Sequence, residues 1–325
     1  MHFPRFGRLS ASPSPRRVFW VFSRTLAACL ILLVMTPRSA RACACGCGVF
    51  EVGTGLMHPL SAGGFASFEY DYINQNQNWS GTSKAPAADN PDKRLKTNFY
   101  NLDFQYMFDR KWGVMVNVPY WNRYFQTTGD AGNLVSYHYS SLADMRVTGV
   151  YSGFSDDMCT GITFGFKLPT GDYTFPGPDR DTQIGTGSTD TLLGAFHQGG
   201  LTKDNNWVWF AQGLWDNAIS TRNGYRPGDE IDVATGLYFN GGDLSGGSKI
   251  APILTFLFSE RWRDSGVEAD PDNTGFTRLL VAPGVQFNIS NIQVFAQVGF
   301  PLYQRMNGNQ LVAPEYYKFS VGYSF

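Results

Sequence analysis

Three cysteines at alternate positions near the start of the chain have the spacing that most directly suggests chemistry. Cys43, Cys45 and Cys47 form a C-x-C-x-C run on a glycine-rich segment. Thiolates at this spacing could chelate a soft metal such as Cu(I) or Zn. Disulfides, which could also include Cys159, are the alternative in an oxidising compartment, and we favour them over the metal site. The sequence has no C-x-x-C-H run for haem attachment, and we expect no cofactor.

Catalytic chemistry has little support, because the chain has only four histidines. His138 precedes Tyr139, Ser140 and Ser141, an arrangement that invites comparison with a barrel phospholipase that uses a His/Ser pair. The predicted position of His138 in an external loop argues against that activity, and the phospholipase motif is absent. We therefore expect that the protein is not an enzyme.

A larger set of reactive side chains consists of ionisable and amide groups that alternate with apolar residues. Buried in a soluble core, each ionisable group would be costly unless it were paired. In the lumen of a barrel such groups could stay hydrated and select solutes, or they could form ion pairs that only stabilise the interior. Both signs of charge occur, which argues against a dedicated anion track. The predicted channel-lining residues are Glu69, Asp71, Asn101, Asp103, Arg123, Asp144, Arg146, Lys167, Asp232, Arg278 and Lys318.

The elements that must position these side chains are β-strands with a period of two. In residues 316–325 large apolar side chains occupy every second position, and small or polar ones lie between them. As the exposed edge of a soluble sandwich, which is the alternative, such a strand would promote aggregation. In a closed membrane barrel the last strand pairs with the first and no edge remains.

The same alternation recurs along residues 63–325 and predicts twelve strands. Short turns alternate with long polar loops, as is typical of outer-membrane barrels. The sixth, seventh and eighth strands are predicted at about residues 191–199, 207–215 and 230–239, and the last long external loop at residues 301–315. No apolar stretch after residue 43 approaches the about 18 residues that a membrane helix needs. The predicted fold class is all-β, a transmembrane antiparallel up-and-down β-barrel of about twelve strands.

The first 42 residues have the pattern of a secretory signal peptide. Five arginines and no acidic residue precede an apolar core at residues 25–35, and Ala40-Arg41-Ala42 supplies a cleavage site. We therefore predict a signal peptide at 1–42, a Cys-rich N-terminal periplasmic segment at 43–62 and an outer-membrane β-barrel at 63–325. The predicted location is the outer membrane of a Gram-negative bacterium. With a net charge of −1 and no long basic run, no nucleic-acid partner is expected.

Four short segments carry a resemblance to a known family. They are Leu142-Ala143-Asp144-Met145-Arg146-Val147, Lys167-Leu168-Pro169-Thr170-Gly171-Asp172 followed by Gly185-Thr186-Gly187-Ser188-Thr189-Asp190, Tyr225-Arg226-Pro227-Gly228-Asp229, and Ala282-Pro283-Gly284-Val285-Gln286. The order of these segments along the chain resembles that of the outer-membrane barrels associated with the MetA pathway of phenol degradation. The resemblance covers most of residues 63–325. The resemblance implies uptake of aromatic or hydrophobic compounds. The Cys-rich start is not part of that pattern.

The sequence thus predicts an outer-membrane channel or transporter for small solutes, including hydrophobic or aromatic ones. The alternative is a structural barrel that anchors or sheathes a periplasmic partner through the Cys-rich N-terminal segment. The expected partners are outer-membrane lipid, small-molecule solutes and, for the alternative, a periplasmic protein.

Overall fold

A computed structural model of the protein describes residues 59, 62–129, 131–244 and 247–325. Cys43, Cys45 and Cys47 lie outside these residues, and so does the predicted signal peptide. The metal and disulfide hypotheses and the division of the N-terminal region therefore stay predictions. Among the residues that the structure describes, no helix is long and apolar enough to cross a membrane.

Twelve antiparallel strands form a closed barrel, which confirms the predicted fold class and strand number. They are β1 Gly63–Gln75, β2 Asp92–Met107, β3 Trp112–Thr128, β4 in two segments Leu134–Leu142 and Met145–Tyr151, β5 Thr160–Leu168, β6 Thr189–Gly200, β7 Trp207–Ser220, β8 Glu230–Phe239, β9 Lys249–Arg261, β10 Phe276–Ile289, β11 Ile292–Val312 and β12 Tyr316–Ser324. Each strand pairs with the next along the chain. β12 closes the barrel on β1, with Phe65 opposite Ser324 and Ile73 opposite Tyr316.

The alternation in the sequence becomes an outer and an inner face of the barrel. On β2, Phe104 is 48% exposed, whereas its neighbours Asp103 and Gln105 are 3% and 4% exposed. On β12, Tyr317, Phe319, Val321 and Tyr323 point outward in the same way. The outer face is therefore an apolar surface suited to lipid.

The inner face is more polar on one side of the barrel than on the other, a difference that the sequence does not predict, although Asp190, Asp216, Glu230 and Asp232 on β6 to β8 are acidic exceptions on the less polar side. The polar side is formed mainly by β1 to β3 and β12, and its buried members are Ser67, Glu69, Asp71, Asn101, Asp103, Gln105, Asn117 and Lys318. On β6 to β11 most buried inward residues are apolar, among them Leu192, Phe210, Leu214, Ala234, Ile253, Leu257, Leu280, Ala282 and Phe295. The lumen thus has a polar wall and an apolar wall.

β11 extends further than its sequence predicts. The sequence predicts an external loop at residues 301–315, but β11 continues to Val312 and pairs with β10 as far as Met306. The chain then reverses near Gly308, whose φ of 82° suits glycine. Residues 309–312 run back against the short strand Gln77–Gly81. Gln310 and Leu311 are each only 1% exposed, so this returning segment lies inside the molecule.

Candidate functional site

A cavity in the barrel interior has a volume of about 150 Å³. Of the predicted channel-lining residues it brings together Asp71, Asn101, Asp144, Arg146, Lys167 and Asp232. A second cavity of about 40 Å³ is lined by Asp103 and Arg146, and a third of about 40 Å³ by Arg278. Glu69, Arg123 and Lys318 do not line these three cavities, and their contacts give each another role.

Lys318 is buried between two carboxylates at the junction of the first and last strands. Its Nζ lies 2.5 Å from Oε1 of Glu69 and 3.5 Å from Oδ1 of Asp71. Asp71 stands directly opposite Lys318 in the register of β1 and β12. Opposite charges in facing positions stabilise strand pairing, so this cluster fastens the closure of the barrel.

A second ion-pair cluster joins three consecutive strands on the wall of the larger cavity. Lys167 on β5 contacts Asp190 at the start of β6, and its Nζ lies 3.0 Å from Oδ2 of Asp216 on β7. Asp190 stands opposite Lys167 in the register. The predicted channel-lining set lacks Asp190, Asp216 and Glu230. The predicted sixth strand begins at residue 191, two residues after the observed start at Thr189, and the predicted seventh strand ends at residue 215, so both aspartates fall outside them, whereas Glu230 lies within the predicted eighth strand. If the predicted sixth strand began one residue earlier and the predicted seventh strand ended one residue later, the strands would include Asp190 and Asp216.

The loop from residue 169 to 188 folds into the barrel and is held there by Asp144. This aspartate lies between the two segments of β4, and its carboxylate accepts hydrogen bonds from the backbone amides of Gly171 (2.9 Å) and Thr186 (2.7 Å) and from the Thr186 hydroxyl (2.6 Å). The two arms of the loop touch at Gly171 and Gly185. A Cβ at Gly185 would lie 2.4 Å from the carbonyl carbon of Gly171, so glycine is required at this crossing.

Arg123 holds the tip of the same loop. Its Nη1 donates hydrogen bonds to the carbonyl oxygens of Thr182 (2.5 Å) and Gln183 (2.8 Å), and the Tyr139 hydroxyl donates to the Thr182 oxygen at 2.7 Å. The Arg123 guanidinium also lies 5.0 Å from the ring centre of Trp121. Arg123 is fully buried and therefore positions the loop instead of facing open space.

An apolar cluster covers the lumen at the end where the long loops lie. Ile184 from the inward loop meets Leu311 from the returning segment of β11, and both pack among Leu95, Phe125, Tyr139 and Ala143. All six side chains are buried. The two inward segments thus form a common cap over the larger cavity.

The connections beyond β7 and β9 are tied together beside this cap. Asp264 accepts hydrogen bonds from the Tyr225 hydroxyl (2.5 Å), the Gly228 amide (2.8 Å) and Arg261 (2.7 Å). Burial and the neighbouring carboxylate raise the pKa of Tyr225 well above its usual value, so the phenol stays a donor. The Arg180 guanidinium lies 4.4 Å from the Tyr225 ring centre. This contact connects the inward loop to the hydrogen-bonded cluster around Asp264.

At the end with the short turns, a methionine-rich cluster occupies the interior. Met107, Val150, Met158 and Phe196 are buried there, and Met115 packs against them. Nearby, burial raises the pKa of the Cys159 thiol to about 11. Among the described residues, no group of three or more His, Cys, Asp or Glu side chains could hold a metal ion.

Fold and site together define a class: an outer-membrane type β-barrel whose lumen holds a capped cavity lined mainly by polar and charged side chains, with Phe99 and Trp121 among them. No family model and no curated protein matches the chain, and the resemblance to the phenol-degradation family stays a prediction. The fold is similar to that of the COG4313 outer membrane channel from Pseudomonas putida F1, with a TM-score of 0.63 and 14% identity over 85% of this chain and 100% of that chain.

Two further solved structures match with lower TM-scores. A FadL homologue of Pseudomonas aeruginosa gives a TM-score of 0.41 with 9% identity over 90% of this chain and 99% of that chain. The Pseudomonas putida toluene transporter TodX gives 0.40 with 9% identity over 87% of this chain and 98% of that chain. At these identities the similarity concerns the fold alone. The closed barrel with its apolar outer face and the fold similarity to an outer-membrane channel confirm the predicted location in an outer membrane.

Proposed function

We propose that the protein is an outer-membrane channel for small solutes that combine an apolar body with a polar group. The observation that carries this proposal is the cavity of about 150 Å³ inside the barrel. An engineered cavity of about this volume in another protein binds benzene. The cavity lining includes Phe99 and Trp121, whose rings pack edge to face at 4.9 Å, beside carboxylates and basic groups. A small aromatic or hydrophobic solute with one polar substituent fits this lining.

The arrangement of the cavities supports passage along the lumen. Asn117 and Arg146 line both the larger cavity and the second cavity of about 40 Å³, so the two spaces are neighbours. A solute that moves between them passes Arg146. Beyond them lies the methionine-rich cluster, and methionine side chains rearrange readily because they are unbranched and flexible. The resemblance of several segments to the phenol-degradation family favours the same solute class.

A structural barrel that anchors a periplasmic partner is the second candidate, and the buried cap at Ile184 and Leu311 favours it. If the lumen is sealed at that end, no solute passes through it. The barrel then serves as a membrane scaffold that holds the Cys-rich segment. The two functions differ in solute flux across a membrane.

Electrical recording separates the two candidates. The mature protein, reconstituted in a planar lipid bilayer in KCl, is expected to give discrete conductance steps, and heat-denatured protein serves as the control. In liposomes it should also speed swelling by small neutral solutes. A folded barrel that gives neither conductance nor swelling would favour the scaffold.

A further inference from the structure

We propose that the larger cavity prefers cations to anions and that Glu230 and Asp232 set this preference. The inference rests on the proposed channel function. It predicts that, within the class of small solutes, a positively charged or hydrogen-donating polar group is favoured over an anionic one.

The charges that line the cavity carry a surplus of carboxylates. Six carboxylates and four basic side chains line it. The six acids are Asp71, Asp144, Asp181, Asp216, Glu230 and Asp232. Because a narrow lumen with low-dielectric walls focuses the field of its fixed charges, this surplus favours cations in the cavity.

The basic side chains of the cavity are engaged by the protein itself, as Lys167, Arg180 and Arg261 show. Lys167 contacts both Asp190 and Asp216. Arg261 lies 2.7 Å from Oδ1 of the buried Asp264. Arg180 donates to the Thr186 carbonyl oxygen at 2.6 Å and lies over the Tyr225 ring. These contacts reduce the positive field that the basic groups present to a solute.

Glu230 and Asp232 lie side by side on the cavity wall. They are two residues apart on β8 and therefore share its inner face, where both line the cavity. Glu230 stands opposite Asp216 in the register of β7 and β8 and opposite Arg261 in the register of β8 and β9, and Arg261 is shared with the buried Asp264. Asp232 accepts a hydrogen bond of 2.5 Å from the neutral Ser259 hydroxyl. Of the ion pairs found among the described residues, none includes either carboxylate; Arg261 and Arg278 act on Glu230, and Arg278 and Arg146 act on Asp232, from a greater distance.

The test is the reversal potential of the reconstituted mature protein under a KCl gradient at neutral pH. The wild type is expected to pass K⁺ in preference to Cl⁻. Glu230→Gln and Asp232→Asn should each lower the permeability ratio of K⁺ to Cl⁻ by about twofold or more, because each removes one fixed charge from the cavity. The matched control is Asp243→Asn, which removes the same charge from a side chain that is 80% exposed in a turn outside the cavity. It should leave the ratio unchanged.

A second measurement needs no variant. The wild-type channel should pass benzyltrimethylammonium more readily than benzenesulfonate, two monoaromatic ions that differ in the sign of a permanent charge. A preference for Cl⁻ and benzenesulfonate, or folded Glu230→Gln and Asp232→Asn variants that keep the wild-type ratio, would overturn this inference and leave the channel function standing. The absence of any conductance would overturn the channel function and this inference with it.

Discussion

At the scale of single residues, the most consequential polar group is Lys318, because two buried carboxylates of β1 depend on its charge. Its side chain is fully buried, and Glu69 and Asp71 are 1% and 3% exposed as side chains. A buried ion pair adds little net stability when it is compared with an apolar pair, but removing one partner leaves an uncompensated charge. Here one cation serves two carboxylates.

We therefore predict that Lys318→Met destabilises the barrel strongly. The loss should be about 3–5 kcal/mol, since two carboxylates would remain buried without their cation. The measurement is unfolding by urea in lipid. The folded fraction is read from the heat-modifiable migration of the barrel on a gel.

The matched control is Lys249→Met, which removes a lysine that is 47% exposed and lies 3.9 Å from Asp243. It should cost less than about 1 kcal/mol, because exposed ion pairs contribute little. Equal losses for the two variants would contradict the role given to Lys318.

The sequence predicts the direction of the ionisable residues but not their partners. Arg123 and Asp144 point inward as their alternation requires, yet both bind backbone groups of the inward loop, and of the two only Asp144 also lines the larger cavity. Glu69 and Lys318 are 249 positions apart, and only the register of the closed barrel brings them together. Periodicity fixes the face on which a side chain lies, whereas its contacts depend on the register and on the path of distant loops.

At the scale of elements, the inward loop at residues 169–188 decides whether the lumen is covered. Asp144 binds both of its arms, Arg123 and Tyr139 bind its tip, and Ile184 packs in the cap. A loop held by side-chain contacts and not by strand pairing can open locally at less cost than the unfolding of the barrel.

We predict that Asp144→Ala releases this loop without unfolding the barrel. Three donors lose their acceptor, and each such loss costs about 1–3 kcal/mol where the donor stays buried. In recordings the variant should show a larger or more frequent open state, and protease should cleave within residues 169–188.

Asp172→Ala is the control on the same loop. Asp172 is exposed, and its carboxylate binds only the amide and hydroxyl of nearby Thr174 among the contacts described. This variant should behave as the wild type. If the recordings of Asp144→Ala and the wild type are the same, the loop does not control access to the lumen.

The elements that the sequence predicts least well are those that fold inward. Residues 301–315 contain Pro301, Asn307, Gly308 and Asn309, a composition that is typical of an external loop. In the structure the apolar Leu311 and Val312 are buried in the cap region. Local composition indicates where the chain turns, but it does not indicate that a turn is directed into the lumen.

At the scale of the whole molecule, the barrel has two different inner walls within one apolar outer surface. The outer surface is predictable because it follows from alternation on almost every strand. The apolar inner wall is harder to predict, since a strand such as β9, with Ile253 and Leu257 inside and Leu254 and Phe256 outside, has little alternation to read. Both faces of this strand are apolar. Only the closed barrel distinguishes the face that is buried in the lumen from the face that contacts lipid.

The outer surface gives the last prediction, which tests the membrane architecture as a whole. Phe104 lies on the outer face of β2 between Tyr100 and Phe108, and its register partners are Ala66 on β1 and Val116 on β3. Phe104→Arg places a charge near the bilayer midplane and should cost about 2–4 kcal/mol. Phe104→Leu keeps an apolar side chain against lipid and is the matched control, expected to fold as the wild type does.

The measurement compares the two variants in lipid and in detergent by heat-modifiable migration and urea unfolding. If the outer face contacts acyl chains, the difference between Phe104→Arg and Phe104→Leu should be large in bilayers and smaller in detergent micelles, where water reaches the side chain more easily. The same variants expressed in cells add a readout of location, because the wild-type protein should be recovered with the outer membrane. Equal stability of the two variants in bilayers, or recovery of the wild type in a soluble periplasmic fraction without detergent, would contradict the lipid-facing assignment of this stripe.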